Sequence, residues 1–170
     1  MSHYKNRPPP FPSNILAIEE MLTLAEVTPG KDVVYDIGAR DGRIPIRAVQ
    51  EPFNSRYAVG IEISKYYADI AKKRVEELKL QDKVRIIHRD AFRCNLSKAD
   101  VVTLYLNKDT NEEIRPKLEK QLKKTARVAC NFFEMERWKC WKHVRIKVPI
   151  GDDTKNPWVT PIYVYKMSKI

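Results

Sequence analysis

The carboxylate of Glu62 has the position and the chemistry to bind a ribose. Glu62 ends an apolar run at residues 58–61 and lies twenty positions after Gly42. A carboxylate can accept hydrogen bonds from both hydroxyl groups of a ribose, and a nucleoside-binding Rossmann unit needs an acidic residue at about this spacing. We therefore expect Glu62 to hold the sugar of a nucleoside-containing ligand.

The elements before Glu62 are those that build a nucleotide-sized crevice. Residues 33–37 form a short, largely apolar and β-branched run, which predicts a buried strand that stops at Gly38. Gly38 frees the backbone to turn sharply, and a helical pattern at residues 43–49 follows, in which Pro45 is tolerable only in the first turn. A strand, a glycine-containing turn and a helix N-terminus together expose backbone N–H groups toward a ligand.

Helical and strand patterns alternate along the rest of the chain and predict an α/β fold. Ser13 and Ser64 are candidate N-caps, and residues 110–113 resemble a capping box before a helix that Pro116 would kink or restart. Only residues 134–140 separate the fifth strand from the next one, which is too little for a crossover. The last two strands should therefore form an antiparallel hairpin, with residues 161–165 as a half-buried edge strand.

Three motifs in order resemble the class I methyltransferases that use S-adenosylmethionine (SAM). They are D-x-G-x-x-D-G from Asp36, G-x-E ending at Glu62, and R-D-A-F at residues 89–92. Further stretches resemble small archaeal protein-lysine methyltransferases and their mitochondrial FAM173-type relatives: residues 8–12, 34–38, 41–44, 102–106 and 115–119. The resemblance implies a Rossmann-like fold with a mostly parallel, twisted sheet of about seven strands and a C-terminal antiparallel hairpin.

The resemblance also implies which residues bind the cofactor, SAM. Asp90 would bind the adenine amino group and Phe92 would lie beside the ring, although a carboxylate at position 90 could instead cap its loop. The implied cofactor-binding set is Asp36, Gly38, Arg40, Gly42, Glu62, Asp90, Ala91 and Phe92. No metal is expected, because the three cysteines lack C-x-x-C spacing.

Arg40 departs from the family pattern. Most members have glycine at this third loop position, where the missing Cβ lets the backbone approach the methionine part of SAM. An arginine here must point outward or fill part of the site. If it fills the site, the chain would be an inactive binding protein with a methyltransferase fold.

The residues at the carboxyl ends of the fourth and fifth strands should form the acceptor channel. Ligands of open parallel sheets bind at these ends, so Tyr105 and Asn107 should face the transferred methyl group. The resemblance implies that Phe132, at the end of the fifth strand, also lies in the acceptor channel, although core packing would also explain an aromatic residue there. Residues 105–108 are not the [D/N]-P-P-[Y/F] of adenine methyltransferases, and no Pro-Cys pair of cytosine-C5 enzymes exists. The resemblance therefore favours a protein-lysine N-methyltransferase.

Length and charge limit the organisation and leave a second acceptor open. The 170 residues predict one domain at residues 13–170, preceded by a Pro-rich segment, residues 1–12, that is either a lid over the site or a disordered tail. A net charge of +10 keeps an RNA- or ribosome-directed methyltransferase as an alternative, although the basic residues are spread along the chain, as on an ordinary surface of mixed charge. With no apolar span or signal sequence, we expect a cytoplasmic protein that binds no membrane, and we expect it to be a monomer. The resemblance implies an archaeal-type enzyme with a protein substrate.

Overall fold

The computed structural model of the chain describes residues 13–150 and 153–170, without the side chains of residues 150 and 153–156. Four α-helices lie within these residues: α1 (Ile15–Leu24), α2 (Arg43–Ala48), α3 (Lys65–Glu77) and α4 (Lys108–Gln121). Seven strands form one sheet: β1 (Val33–Ile37), β2 (Tyr57–Glu62), β3 (Val84–His88), β4 (Val101–Leu104), β5 (Arg127–Asn131), β6 (Lys142–Ile150) and β7 (Asp153–Lys166). Short 3₁₀ turns occur at Ala91–Arg93 and Met167–Lys169. The Pro-rich segment at residues 1–12 lies outside the described residues.

The sheet has the strand order β3-β2-β1-β4-β5-β7-β6. Strands β1 to β5 run parallel, whereas β7 pairs antiparallel with both β5 and β6. The predicted Rossmann-like sheet with a C-terminal antiparallel hairpin is confirmed. The chain runs from β1 outward to β2 and β3, and then returns to form β4 on the other side of β1. The strand order therefore reverses at β1. Such a reversal opens a crevice at the carboxyl ends of the strands.

Helices cover both faces of the sheet, so the central strands are buried on both sides. One apolar cluster joins the sheet to α1, α2 and α3, and the other joins it to α4 and the turn near Trp138. Successive residues of β1 supply opposite clusters, since Val34 belongs to the first and Tyr35 to the second. Full burial of β1 explains why its sequence is a continuous apolar run with one buried aspartate, Asp36.

Two helix caps differ from the predicted ones. Asn14, rather than Ser13, caps α1 by accepting a hydrogen bond from Leu16 N at 2.9 Å. Helix α4 begins after Asn107, so the predicted capping box at residues 110–113 is wrong. The helix also continues through Pro116, because buried Ile114 and Leu118 on either side of it pack against the sheet.

The C-terminal hairpin is longer than its sequence pattern predicted. Strand β7 has 14 residues, but β5 pairs only with residues 162–166 of it. The preceding residues of β7 therefore extend past the carboxyl end of β5 and pair with β6. The predicted edge position of the last strand is wrong, since β6 is the edge and β7 lies between β5 and β6.

Among the helices described here, none is long and apolar enough to cross a membrane.

Candidate active site

A cavity of about 520 Å³ opens at the carboxyl ends of the parallel strands, where the strand order reverses. Residues from the loops after β1, β2, β3, β4 and β5 line it together. Ten of the predicted site residues are in its wall: Asp36, Gly38, Arg40, Glu62, Asp90, Ala91, Phe92, Tyr105, Asn107 and Phe132. The predicted site residue outside the lining is Gly42.

Gly38 and Gly42 serve different purposes in the loop after β1. Gly38 has φ +82°, and a Cβ there would lie 2.9 Å from Leu106 Cδ2. Gly42 has φ +76° and precedes α2, where a Cβ would lie 3.0 Å from the Cβ of Ala71 on α3. Glycine at position 42 therefore permits close packing of two helices, whereas glycine at position 38 permits the left-handed turn and the close approach of Leu106.

Asp36 is a buried carboxyl group with one oxygen unsatisfied. Its side chain is 2% exposed, and Thr103 on the adjacent strand donates a hydrogen bond to Oδ1 at 2.7 Å. Among the described residues, Oδ2 has no hydrogen-bond partner. Burial raises the pKa of Asp36 to about 7, against the Thr103 hydrogen bond and with a contribution from Glu62 and Asp41. A ligand that donates a hydrogen bond or carries positive charge would satisfy this group.

Glu62 is held rigidly at the end of β2. Its Oε2 accepts a hydrogen bond from the backbone N–H of Arg40 at 2.8 Å, and its Oε1 accepts one from Ser64 N at 2.7 Å. These two bonds tie the loop after β1 to the loop after β2. Each carboxyl oxygen has a second lone pair, so the group can still accept two hydrogens from a diol.

Asp90 both caps its loop and borders the cavity. Its Oδ1 accepts a hydrogen bond from Phe92 N at 2.9 Å and caps the 3₁₀ turn Ala91–Arg93. Asp90 therefore does cap its loop, which was the alternative to adenine binding. Its other carboxyl oxygen, Oδ2, takes no part in this cap. Phe92 lies beside it in the cavity wall with 42% of its surface exposed.

Arg40 reaches from the loop toward α3. Its backbone is left-handed, with φ +47°, and its guanidinium carbon lies 4.9 Å from the centroid of the Tyr67 ring. Arg40 Nη2 also donates to the Tyr67 hydroxyl at 3.4 Å. The guanidinium is thus held against an aromatic face of α3, and Arg40 and Tyr67 together form one wall of the cavity.

An ion-pair cluster around Asp41 fixes the loop and was not predicted. Asp41 accepts hydrogen bonds from Arg43 at 2.9 and 2.7 Å and pairs with Arg74 of α3 at 2.8 Å. Burial alone would raise the pKa of Asp41, because it favours the neutral carboxyl. The hydrogen bonds from Arg43 and the positive charges of Arg43 and Arg74 outweigh this effect, so the pKa of Asp41 is lowered. The D-G-R sequence placed Asp41 and Arg43 close together, whereas the contribution of Arg74 depends on how α3 packs.

Aromatic side chains form the opposite end of the cavity. Phe132 contacts Phe133 edge-on with ring centroids 4.8 Å apart, and it stacks on Trp158 at 5.9 Å. Tyr105 completes this group from the end of β4. Phe132 has φ +70°, and Phe133 N donates to Asn131 O at 2.9 Å across it, which forms a three-residue γ-turn. An aromatic residue held in this costly conformation marks a position where geometry is imposed by its surroundings.

Trp158 is a wall residue that the sequence prediction missed. It lies in the part of β7 that extends past β5, and the sequence pattern assigned no strand there. The adjacent Thr160 donates a hydrogen bond to the buried Asn131 side chain at 2.7 Å, which joins this part of β7 to the end of β5. The Trp-Val-Thr triplet at residues 158–160 was the available sequence signal, since all three residue types favour strands.

Asn107 has a structural task besides its place in the wall. Its side-chain oxygen accepts a hydrogen bond from Thr110 N at 2.8 Å and caps α4.

In the part of the chain that the structure describes, no group of three or more His, Cys, Asp or Glu residues could hold a metal ion.

Comparison with known proteins identifies the family. The pattern described as the ANTKMT methyltransferase domain matches residues 36–142. The chain belongs to this methyltransferase family. A protein-lysine N-methyltransferase of Saccharolobus islandicus is 37% identical over 130 residues, covering 76% of this chain and 80% of that protein. The adenine nucleotide translocase lysine N-methyltransferase of Mus musculus is 25% identical over 146 residues, covering 86% of this chain and 59% of that protein.

A solved structure matches both the sequence and the fold. The RNA methyltransferase from Salinibacter ruber, in complex with S-adenosyl-L-homocysteine, is 32% identical with a TM-score of 0.80, and the match covers 92% of this chain and 94% of that one. Family and fold agree with the predicted SAM-dependent class I methyltransferase, and the inactive alternative based on Arg40 loses its support. The relatives differ in the acceptor that their names give: protein lysine in the first two and RNA in the third.

Proposed function

We propose that the chain is a protein-lysine N-methyltransferase that transfers the methyl group of SAM to a lysine side-chain amine. The observation that carries the proposal is a continuous cavity with carboxyl groups at one end and aromatic rings at the other. The first end suits a cationic nucleoside cofactor. The second suits a long aliphatic side chain that ends in an amine.

The residues of the polar end fit SAM. Glu62 would hold the ribose diol, Asp90 and Phe92 would bind the adenine, and the part of the cavity lined by the loop after β1 would admit the methionine part. Asp36 Oδ2 lacks a donor among the described residues, and SAM brings both an ammonium group and a positive sulfonium. When bound, SAM supplies an electrophilic methyl group, and the transfer is an in-line displacement that depends on alignment.

The residues of the aromatic end would prepare the acceptor. A lysine must arrive as a neutral amine, and a poorly hydrated aromatic channel disfavours the ammonium form and lowers its pKa. Tyr105, Phe132 and Trp158 would surround the aliphatic stem, and their ring faces would attract the positive charge that develops on the nitrogen. Asn107 would orient this wall by fixing the start of α4.

Similarity to the Saccharolobus islandicus enzyme supports a protein as the substrate. In the same proposal, residues 13–170 form one catalytic domain, and the enzyme acts as a cytoplasmic monomer of archaeal type.

Transfer of tritium from labelled SAM tests the acceptor. The purified chain is incubated with ribosome-containing cell extract, and the labelled product is divided into two portions. One portion is treated with protease and the other with ribonuclease. We expect the label to become soluble with protease and to remain precipitable with ribonuclease. Label that only ribonuclease releases would contradict the proposal.

RNA is the second candidate acceptor, because the Salinibacter ruber protein is 32% identical and the net charge is +10. An RNA-directed enzyme would bind RNA with an affinity that falls steeply with salt, since phosphate contacts release counterions. Gel-shift titration with total ribosomal RNA at two salt concentrations measures this dependence. Weak binding with a shallow salt dependence would exclude this candidate.

A further inference from the structure

The exposed face of the β6–β7 hairpin carries a row of cationic side chains beside the cavity. We infer that this face, the docking face (His143, Arg145, Lys147, Val159, Pro161 and Tyr163), binds an extended acidic segment of the protein that carries the acceptor lysine. The inference rests on the proposed function and names the class of substrate that the same site would select.

Strand β6 offers an open edge for an added strand. It is the last strand of the sheet, and within residues 13–150 and 153–170 it pairs with β7 alone. An edge strand leaves alternate N–H and C=O groups unpaired on its outer side, and an extended peptide can pair with them. Such pairing fixes the peptide as a strand, so that every second side chain of the peptide lies on the docking face.

The docking face is cationic along β6. His143, Arg145 and Lys147 are exposed and occupy alternate positions, so they share one side of the strand. Opposite them in register are Tyr163, Pro161 and Val159, none of which is acidic. Neither Arg145 nor Lys147 has an ion-pair partner in the described part of the chain.

Aromatic stacking and one nearby acid complete the face. The His143 ring lies flat on Tyr163, with centroids 4.6 Å apart and 9° between the planes. Burial raises the pKa of the Tyr163 hydroxyl, with Glu134 acting in the same direction and Arg145 in the opposite one. Glu134 therefore reduces the positive potential near Tyr163, and the strongest attraction for an acidic side chain is expected at Arg145 and Lys147.

The docking face leads to the aromatic end of the cavity. Lys147 pairs with Val159 in the part of β7 that extends past β5, so this face reaches the end of the sheet where the cavity opens, whereas Trp158, the next residue, points to the other side of the sheet. A peptide paired with the outer side of β6 lies three strand spacings, or about 14 Å, from β5, and about five residues of extended chain can span this distance. A segment with acidic residues at positions i and i+2 on the docking face would thus place a lysine about five residues further on, past the end of the sheet, at Trp158 and Phe132.

The charged side chains of β6 also have a simpler explanation, and an experiment can distinguish it from peptide binding. Charged side chains on edge strands also prevent edge-to-edge aggregation, and that role needs no partner. Charge alone would equally attract RNA. The spacing of the cations along an open β-edge favours an extended peptide, since RNA cannot add a strand to a sheet.

Two synthetic peptides and two double variants test the inference. One peptide has aspartates at i and i+2 and a lysine five residues later, and the other has asparagine in place of both aspartates. The variants are R145E/K147E and the control K31E/K98E, which makes the same charge change just before β1 and β4, at the opposite end of the sheet. The kcat/KM for each peptide and peptide binding by fluorescence anisotropy are measured with the full chain and SAM.

The wild-type chain should prefer the acidic peptide about five-fold, the size expected for two exposed ion pairs. R145E/K147E should lose this preference, whereas K31E/K98E should keep it, with the same affinity for SAM in both. Equal use of the two peptides by the wild type, or an unchanged preference in R145E/K147E, would overturn the inference while leaving lysine methylation standing. If R145E/K147E instead loses RNA binding and keeps its peptide preference, the docking face binds RNA and the inference is wrong. Absence of methylation of either peptide, with methylation of RNA, would overturn the proposed function itself.

Discussion

Replacing Asp36 with asparagine should stabilise the protein at alkaline pH while weakening its affinity for SAM. The carboxyl is 2% exposed, and burial raises its pKa to about 7. The folded protein therefore holds this proton more tightly than the unfolded chain does. Between about pH 4 and pH 7 the unfolded chain loses the proton first, so the free energy of unfolding falls as the pH rises.

The size of the effect follows from the two pKa values. The difference between about 7 in the folded state and the ordinary 3.8 corresponds to about 4 kcal/mol at pH 8 and about 1 kcal/mol at pH 4.5. Asparagine keeps an oxygen to accept the Thr103 hydrogen bond and has no charge to desolvate, but its amide N–H groups need partners. After this cost we expect a net gain of about 1–3 kcal/mol at pH 8, which raises Tm by about 2–12 °C.

Thermal unfolding of D36N and the wild type across this pH range measures the gain. The matched control is D100N, because Lys123 and Val33 N bind the Asp100 carboxyl and, against the effect of burial, lower its pKa. D100N should lose stability at pH 8, opposite in sign to D36N. Equal or lower stability of D36N at pH 8, or a gain that does not shrink at pH 4.5, would refute the account of Asp36.

Other substitutions test the remaining walls of the cavity. Glu62→Ala should weaken SAM binding at least about ten-fold by calorimetry, because it removes the diol acceptor and frees two backbone N–H groups; unchanged affinity would mean that the ribose lies elsewhere. Trp158→Ala should raise KM for a lysine peptide several-fold with Tm nearly unchanged, because the ring is 52% exposed; a large loss of Tm with normal KM would make Trp158 a packing residue. Arg40→Gly should change the Kd for SAM by less than about three-fold, since the guanidinium is held at Tyr67; SAM binding that appears only in this variant would show that Arg40 blocks the site.

The cofactor end of the cavity could be predicted because its signals are local. A buried strand, a glycine turn and a carboxylate at the end of the next strand each depend on a few neighbouring residues, and they placed Asp36, Gly38 and Glu62 in one wall. Gly42 was grouped with them by its position in the same motif. Its contact with Ala71 depends on how two helices pack, which the motif does not record.

The acceptor end was harder to predict because its residues are far apart in the chain. Phe132 and Trp158 meet only because β7 extends past β5 and returns as the partner of β6. The left-handed backbone of Phe132 has no signal in its residue type, since aromatic residues rarely adopt it. Asn107 was predicted from its strand-end position, whereas its capping bond needed the true start of α4.

The most direct test of the proposed function is mass spectrometry of the product formed with SAM that carries a trideuterated methyl group. The wild-type chain is incubated with extract, and both the protein digest and the nucleosides of the RNA are analysed. The proposal predicts the deuterated methyl group on the side-chain nitrogen of lysine, with loss of the signal in Glu62→Ala. Deuterated methyl groups in nucleosides, with none on lysine, would contradict it.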